Sequence, residues 1–381
     1  MYGRVSLLAI GLTCLLAISI FMAGPARALP QFKDERGFDK KLTPAEIEYQ
    51  SAQQYMKSES YYEAIDHLKK AVKLEPEFFE AWSLLGKAQA RIKNFSESVK
   101  SYKKANEIKP GNTNVIGSLG DNYLKLNNLD KAQEYFKMLT ARDSLDYFGN
   151  IRLGFISKQK EEWDEAVDYF RRALKVKPED VVVMGTLAGI YGEMDEPEKQ
   201  IEFLKRAVDT EPENYTMMKK LASAYFSNKQ YKEAVPIYEK LVEVYPDLAA
   251  FHKRLGFALS QSKGDMDRAA EELEQANIIS GGDSQTHALL ALIYNENKKW
   301  DDAIAAARGG LALNDGNDAF LLYQLGVAVS KKGRYEEAIN HFQKAVNIGT
   351  EPWKSSSVKQ IDRQKKLIEI REAKKEQQMY E

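Results

Sequence analysis

The amino-acid sequence predicts an all-α fold in which pairs of antiparallel helices stack into a solenoid. Three observations predict it: a unit of 34 residues recurs from Ala45 to about Pro352, each unit carries two apolar stripes with helical spacing, and a proline closes most units. Apolar residues three, four and seven positions apart lie on one face of a helix. Because one helix pair cannot bury its stripe alone, the repeated units must stack on their neighbours.

The first element in chain order is a secretory signal peptide, predicted over residues 1–28. Arg4 provides a positive start, an apolar run extends over residues 5–23, and Ala26-Arg27-Ala28 is a small-x-small cleavage site. We therefore expect the mature chain to begin at Leu29. The apolar run is nearly long enough to span a bilayer, so an inner-membrane anchor formed by an uncleaved signal is the alternative.

A short polar lead-in, residues 29–44, separates the signal from the repeats. Thr43-Pro44 followed by Glu46 predicts a helix start, because proline is tolerated in the first turn of a helix.

Nine repeat units occupy residues 45–352. Their first residues are Ala45, Phe79, Thr113, Tyr147, Val181, Tyr215, Ala249, Ser284 and Ala319. The first helix of most units has a leucine followed by a small residue, such as Leu119-Gly120. The second helix has a small residue and, four positions later, a large one, such as Ala132 and Phe136. We expect the small residues to let the two helix backbones approach closely.

Proline ends the second helix of most units, because it lacks the amide donor and disfavours helix in the residue before it. These prolines are Pro76, Pro110, Pro178, Pro212 and Pro246. The 34-residue register slips by one residue around Gly264-Asp265, and again between Asp315 and Ala319. Both slips fall in turns, where an insertion costs little, so we expect the stacking to continue through them.

The pattern resembles the tetratricopeptide repeat (TPR), whose signature is W-x2-L-G-x2-Y, then A-x3-F, then A and P. The second unit matches most fully, with Trp82, Leu85, Gly86, Ser98, Tyr102, Ala105 and Pro110. The resemblance covers residues 45–352. It implies a TPR-type α-solenoid, a right-handed superhelix of about nine helix pairs whose first helices form a concave inner wall.

Residues 353–381 depart from the repeat and form the last predicted element. The segment is rich in helix formers and has apolar residues at Val358, Ile361 and Ile368. We predict a helix that caps the array, since a solenoid needs a terminal element with a polar outer face. A membrane-surface helix or a partner-binding tail is the alternative.

The sequence predicts no catalytic set, no cofactor and no metal site. The single cysteine, Cys14, lies in the signal, and neither a P-loop nor a G-x-G-x-x-G string is present. The four histidines are His67, His252, His287 and His341. They occupy equivalent positions of different repeats, two of them at the place of Trp82, and such periodic placement favours packing or surface roles.

Charge bears on the class of partner. The chain contains 55 Lys and Arg against 56 Asp and Glu, whereas a nucleic-acid-binding protein needs a pronounced basic excess or stripe. We therefore expect a protein or peptide partner and no nucleic acid. Membrane association is expected only through an uncleaved signal sequence, and homo-oligomerisation is left open.

The predicted binding site consists of aromatic and apolar residues of the first helices that lie outside the packing stripe. They are Tyr49, Phe148, Ile151, Phe155, Phe226, Phe257, Leu292, Phe320 and Tyr323. Such side chains can anchor a partner segment in a groove. The alternative is that several of them pack only between adjacent first helices.

The sequence therefore predicts an exported, non-enzymatic TPR scaffold that binds a protein or peptide segment in its concave groove. A bacterial periplasm, or secretion, is the expected location, and assembly of an envelope, secretion or surface structure is the expected role. Two alternatives are a structural protein that self-assembles through its repeats and a substrate-recognition subunit of a separate enzyme.

Overall fold

The computed structural model describes residues 32–33, 39–40, 42–262 and 264–380; the predicted signal peptide lies outside them. Two short strands precede the helices, β1 (Phe32–Lys33) and β2 (Asp39–Lys40), and they pair antiparallel. Within the described residues, all remaining regular structure is helical.

The described residues form nineteen helices. The first helices of the repeats are α1 (Pro44–Lys57), α3 (Phe79–Arg91), α5 (Thr113–Lys125), α7 (Tyr147–Gln159), α9 (Val181–Glu193), α11 (Tyr215–Ser227), α13 (Ala249–Gln261), α15 (Ser284–Glu296) and α17 (Ala319–Lys331). The second helices are α2 (Tyr61–Leu74), α4 (Phe95–Ile108), α6 (Leu129–Arg142), α8 (Trp163–Val176), α10 (Pro197–Thr210), α12 (Tyr231–Val244), α14 (Met266–Ser280), α16 (Trp300–Ala312) and α18 (Tyr335–Ile348). The last helix is α19 (Trp353–Tyr380).

The chain divides into two compact units, Met1–Arg152 and Leu153–Glu381, and the division falls within α7. Consecutive helices pack on each other from α1 to α6 in the first of these units and from α8 to α19 in the second. The fold is therefore the all-α, TPR-type solenoid that the sequence predicts. Among the described residues, no helix combines the length and the apolar character needed to cross a membrane.

The start of α1 is fixed by a capping box at Thr43. The Thr43 hydroxyl accepts a hydrogen bond from the Glu46 amide at 3.1 Å, and the Glu46 carboxylate accepts one from the Thr43 amide at 2.7 Å. Pro44 is the first helical residue, one position before the expected unit start. The later first helices, α3 to α17, begin at the residues at which the repeat register places a new unit.

A left-handed residue marks each described turn between the two helices of a unit. These residues are Glu59, Lys93, Asn127, Glu161, Asp195, Lys229, Lys298 and Gly333. A non-glycine residue pays about 1–2 kcal/mol for this conformation, and seven of these eight are not glycine. The packing of the helix pair must outweigh that strain in unit after unit.

The glycine of the first helix makes room for an aromatic ring of the second helix in several repeats, and for its backbone in one. A Cβ on Gly120 would lie 2.6 Å from Cζ of Phe136, and a Cβ on Gly86 would lie 2.7 Å from Cδ2 of Tyr102. Backbone approaches closely at Gly256, where the added Cβ would lie 2.7 Å from the Ala269 carbonyl oxygen. The physical reason is volume, since a buried aromatic ring needs the space that even one methyl group would fill.

Helix α19 caps the second unit. It packs on α18 and α17, and the Ser330 hydroxyl donates a hydrogen bond to Oε1 of buried Gln364 at 2.7 Å. The packed face contains Ile361 but not Val358, whose side chain is 44% exposed. The predicted apolar stripe is thus wrong at Val358, because polar Ser357 and Gln364 take part in the packed face instead.

Candidate functional site

The most apolar of the grooves described below lies in the second unit, between α11, α13 and α15, and has a volume of about 610 Å³. We call it the aromatic groove. It is lined by Phe226, Ala250, Lys253, Arg254, Phe257, Gln285, Ala288 and Leu289. First helices of three successive repeats supply all of these residues, so the groove follows the direction in which the repeats stack.

A cluster of rings forms the floor of the aromatic groove. The ring centroids of Phe226 and Phe257 lie 5.3 Å apart, and Tyr231 lies 5.4 Å from the first and 5.5 Å from the second. The guanidinium of Arg254 lies over the Phe226 ring at 4.7 Å. Burial raises the pKa of Tyr238 behind this cluster, and a hydrogen bond with Arg254 opposes the rise. Phe226 and Phe257 thus serve both the packing of the repeat and the groove surface.

Polar groups form the rim of the aromatic groove. Lys253 Nζ lies 3.0 Å from Oδ1 of Asp283 and donates a further hydrogen bond to Gln285 Oε1 at 3.2 Å. Burial tends to raise the pKa of Asp283, but hydrogen bonds from Thr286 and Lys253 outweigh it and hold that pKa below its usual value. The charge of Lys253 is therefore balanced within the protein. Arg254 is exposed, and no described carboxylate lies within ion-pair distance of it.

A second groove lies in the first unit and has a volume of about 420 Å³. We call it the basic groove. It is lined by Lys87, Ala90, Arg91, Phe95, Tyr102, Ser118, Asp121, Asn122, Leu124, Lys125 and Arg152. Arg152 Nε lies 2.9 Å from Oδ1 of Asp121, and its guanidinium lies 4.9 Å from the Phe148 ring. Burial raises the pKa of Asp121, while Arg152 and Lys125 oppose the rise.

A third cavity, of about 440 Å³, adjoins the basic groove and shares Lys87, Tyr102 and Ser118 with it. Tyr49 lines this cavity, and its ring lies 5.0 Å from Phe78. Burial raises the pKa of Tyr49, with a hydrogen bond to Gln53 acting against it. The first unit therefore carries a continuous path of polar and aromatic side chains along its first helices.

The structure brings Phe226 and Phe257 together and leaves other predicted residues apart from the grooves. Phe148 is 41% exposed and its ring is steeply inclined to that of Phe136, and Phe155 is 40% exposed with its ring nearly perpendicular to that of Phe170. Two further predicted residues, Ile151 and Leu292, are half-buried on first helices and line none of the three cavities.

The last two predicted residues, Phe320 and Tyr323, contact the protein's own C-terminal helix. The Trp353 ring lies 4.7 Å from the Phe320 ring and 5.4 Å from the Tyr323 ring. Both residues are half-buried in this cluster. At this end of the second unit, α19 occupies the surface that the sequence assigned to a partner.

Sequence reasoning missed the groove residues five positions after a unit start, namely Arg254, Leu289 and Arg152. The predicted residues occur mostly one, four or eight positions after a unit start. The fifth position lies beside the buried leucine of the sixth and is not among the predicted site residues. Arginine at this position in two units, Arg152 and Arg254, is the signal that could have revealed it.

Three of the four histidines, His67, His252 and His341, lie near carboxylates in separate pairs, whereas the side chain of His287 lies 3.5 Å from the Asn277 amide. His67 Nδ1 lies 2.6 Å from Glu48, and His252 Nδ1 lies 2.7 Å from Glu272. Across the described part of the chain, no three His, Cys, Asp or Glu side chains are placed to hold a metal ion.

Comparison with protein families gives TPR matches along the chain. A model described as "TPR repeat" matches residues 52–93, and models described as "Tetratricopeptide repeat" match residues 79–112, 118–181, 225–293 and 319–349.

Among curated relatives, the superkiller complex protein 3 of Homo sapiens is 29% identical over 100 residues, which are 25% of this chain and 6% of the relative. The Mus musculus protein of that name is 26% identical over 138 residues, 34% of this chain and 9% of the relative. The matches thus span less than a tenth of the length of these relatives.

Solved structures are similar in fold. A tetratricopeptide repeat protein from Parabacteroides merdae has a TM-score of 0.45 at 18% identity, covering 65% of this chain and 98% of its own. The type IV pilus biogenesis factor PilW has a TM-score of 0.42 at 19% identity, covering 57% of this chain and all of its own. At such identities the similarity concerns the fold alone.

Proposed function

Because this chain is a tetratricopeptide repeat protein, we propose that it is a non-enzymatic scaffold and that the aromatic groove of its second unit binds an extended segment of a protein partner. The observation that carries the proposal is the cluster of Phe226 and Phe257 beneath exposed Arg254. Aromatic and arginine side chains supply most of the binding energy where partners bury them.

The shape of the aromatic groove suits a peptide segment. A cavity of 300–1,000 Å³ with apolar walls and a few polar groups is typical of binding sites, and this one, at about 610 Å³, has Phe226, Phe257 and Leu289 in its wall. The Lys253–Asp283 pair is closed on itself, which leaves Arg254 as the charged group available to a partner.

We also propose that the protein is exported and acts in the assembly of a bacterial envelope, secretion or surface structure. The support is the sequence pattern of residues 1–28, with Arg4, the apolar run and the Ala26-Arg27-Ala28 site. N-terminal sequencing of protein from the native host should give Leu29 as the first residue. Recovery of chains that begin at Met1 in washed membranes would support the anchored alternative.

The binding proposal is tested by filling the groove without removing a packed side chain. Ala250 is exposed and lines the groove, so Ala250→Phe places a ring in it. Ala305→Phe makes the same change at an exposed alanine of α16. This helix is the second helix of its repeat and belongs to the same compact unit as Ala250. We expect crosslinking and pull-down in the native host to lose a specific partner with Ala250→Phe and to retain it with Ala305→Phe.

Truncation provides the complementary test. Phe257→Ala removes a groove ring, and a loss on the order of thirtyfold in partner affinity is expected for a hot spot worth about 2 kcal/mol. Lys175→Glu, on the exposed side of second helix α8, should leave binding unchanged. If Lys175→Glu abolishes capture while Ala250→Phe does not affect it, the partner binds outside the aromatic groove.

A further inference from the structure

We propose that the basic groove of the first unit binds an extended acidic segment of a protein. The inference rests on the proposed function, because it names the chemistry of a partner segment for the same scaffold. Four cationic side chains line the groove, those of Lys87, Arg91, Lys125 and Arg152, and Asp121 is the one carboxylate among the lining residues. Since the chain as a whole has a formal net charge of −1, this is a local concentration of positive charge.

The cations of the basic groove are largely available to a partner. Arg152 is paired with Asp121. Lys87, Arg91 and Lys125 are exposed, and no described carboxylate lies within ion-pair distance of them. A partner carboxylate that enters the groove therefore gains attraction without first separating an existing ion pair.

The order of the cations favours an extended chain. Lys87 lies on α3, Lys125 on α5 and Arg152 on α7, which are first helices of successive repeats. Arg152 of α7 reaches Asp121 of α5, so these neighbouring first helices lie within side-chain reach of each other. An extended chain advances about 3.3 Å per residue, so three residues span about 10 Å. Acidic side chains about three residues apart would meet successive helices. The aromatic walls at Phe95 and Tyr102 add apolar contact for the side chains between them.

A nucleic acid fits the basic groove less well than an acidic peptide. Nucleic-acid sites need a basic stripe that follows many phosphates. This groove has four cations and one carboxylate in its lining and a volume of about 420 Å³. The positive charge of the groove suits the carboxylates of a polypeptide, because the groove does not form a basic stripe long enough to follow many phosphates.

The test measures binding of the purified full-length chain to a fluorescein-labelled octapeptide of alanine and serine that carries two glutamates three residues apart. The comparison peptide has glutamine at both positions. We expect the glutamate peptide to bind at least about tenfold more tightly at low salt, and its affinity to fall as ionic strength rises, because exposed charges are screened.

A pair of matched variants locates the binding. Lys87→Glu with Lys125→Glu reverses two groove charges, whereas Lys70→Glu with Lys137→Glu makes the same change on exposed positions of second helices in the same unit. We expect the groove variant to lose roughly tenfold or more in affinity for the glutamate peptide, and the control to lose little. Circular dichroism of both variants checks that the helices are retained.

Three outcomes would overturn the inference. These are equal binding of the glutamine peptide, equal effects of the two double variants, and tighter binding of a single-stranded oligonucleotide than of the glutamate peptide in the same assay. Each leaves the proposed function standing if Ala250→Phe still abolishes capture of the native partner. Conversely, a loss of glutamate-peptide binding confined to the groove variant supports the basic groove even where Ala250→Phe has no effect.

Discussion

Gly120 lies against the ring of Phe136, and a Cβ atom on this glycine would stand 2.6 Å from Cζ of that ring. Phe136 is completely buried, so a shift of its ring would have to displace neighbouring side chains of the core. The equivalent glycines of the second, fourth and ninth repeats face Tyr102, Phe170 and Phe342 in the same way. The glycine of the leucine–glycine pair in the first helix therefore contacts an aromatic ring of the second helix.

This contact predicts that Gly120→Ala destabilises the compact unit that ends at Arg152. The added methyl group overpacks the helix pair, and we expect a loss of about 1–3 kcal/mol in the free energy of unfolding. The matched control is Gly189→Ala in α9, where an added Cβ meets no atom within 4 Å. That change should stabilise the protein by roughly 0.5–1 kcal/mol, because alanine is the better helix former.

Urea denaturation of both variants measures the difference, and hydrogen exchange should show the loss of protection around α5 and α6 first. Equal stability of the Gly120→Ala and Gly189→Ala variants would show that the Phe136 ring can shift after all.

His252 replaces a tryptophan of the repeat in chemical role as well as in sequence position. Its Nε2 lies 2.9 Å from the Pro246 carbonyl oxygen, and Nε1 of Trp82 donates to the Pro76 carbonyl oxygen at 2.8 Å. The other ring nitrogen of His252 lies 2.7 Å from Glu272. The histidine thus fastens the preceding proline turn and also binds the second helix of its own repeat.

We predict that His252→Ala costs about 1–3 kcal/mol, because it leaves the Pro246 carbonyl and the Glu272 carboxylate without this partner. The side chain of His252 is 9% exposed, against 26% for His67, which has one carboxylate partner, Glu48. His67→Ala should therefore be the milder substitution. Thermal unfolding of the two variants side by side makes the comparison, and a milder effect of His252→Ala would contradict it.

Much of the fold could be predicted from the sequence because the same pattern occurs in nine repeats. The first helices from α3 to α17 begin where the register places them, and the extra residue near Gly264 falls in a turn, as expected. A helix needs only a periodic apolar stripe and a break, and both are visible in the sequence.

The grooves could be predicted only in part, because they depend on contacts between successive repeats. Lys253 pairs with Asp283, thirty residues later, and no pattern within one repeat predicts which cation is neutralised in this way. The contact of Phe320 with Trp353 depends on how α19 packs, and the tail has no repeat register. Such pairings are set by side-chain rotamers and by neighbours from other helices.

His341 predicts a pH dependence of stability. Burial lowers the pKa of His341, and Glu337, whose Oε1 lies 3.6 Å from Nε2, opposes the shift. Unfolded His341 therefore binds a proton at a higher pH than folded His341. The stability that the neutral ring contributes is present above the unfolded value of about 6.5 and is lost as pH falls below it.

We expect the Tm of the wild type to fall further between pH 7.5 and pH 5.5 than that of His341→Gln, which has no proton to bind. Each protein serves as its own reference at pH 7.5. An equal or steeper fall for His341→Gln would show that other groups account for the acid sensitivity.

Helix α19 predicts a sharp limit to C-terminal truncation. The described side chains after Arg371, residues 372–378, are exposed, whereas Trp353, Ile361 and Gln364 pack on the second unit. A chain that ends at Arg371 should keep the stability of the full protein, because it retains the packed face and the ion pair between Arg371 and Glu336.

A chain that ends at Ile348 exposes Phe320, Tyr323 and the apolar side of α18. In a stacked array that damage should spread from the exposed end, so hydrogen exchange should rise in α17 and α18 before the helices nearer the middle of the chain. If removal of residues 372–381 destabilises the protein as much as removal of the whole helix, the cap extends beyond the contacts at Trp353, Ile361 and Gln364.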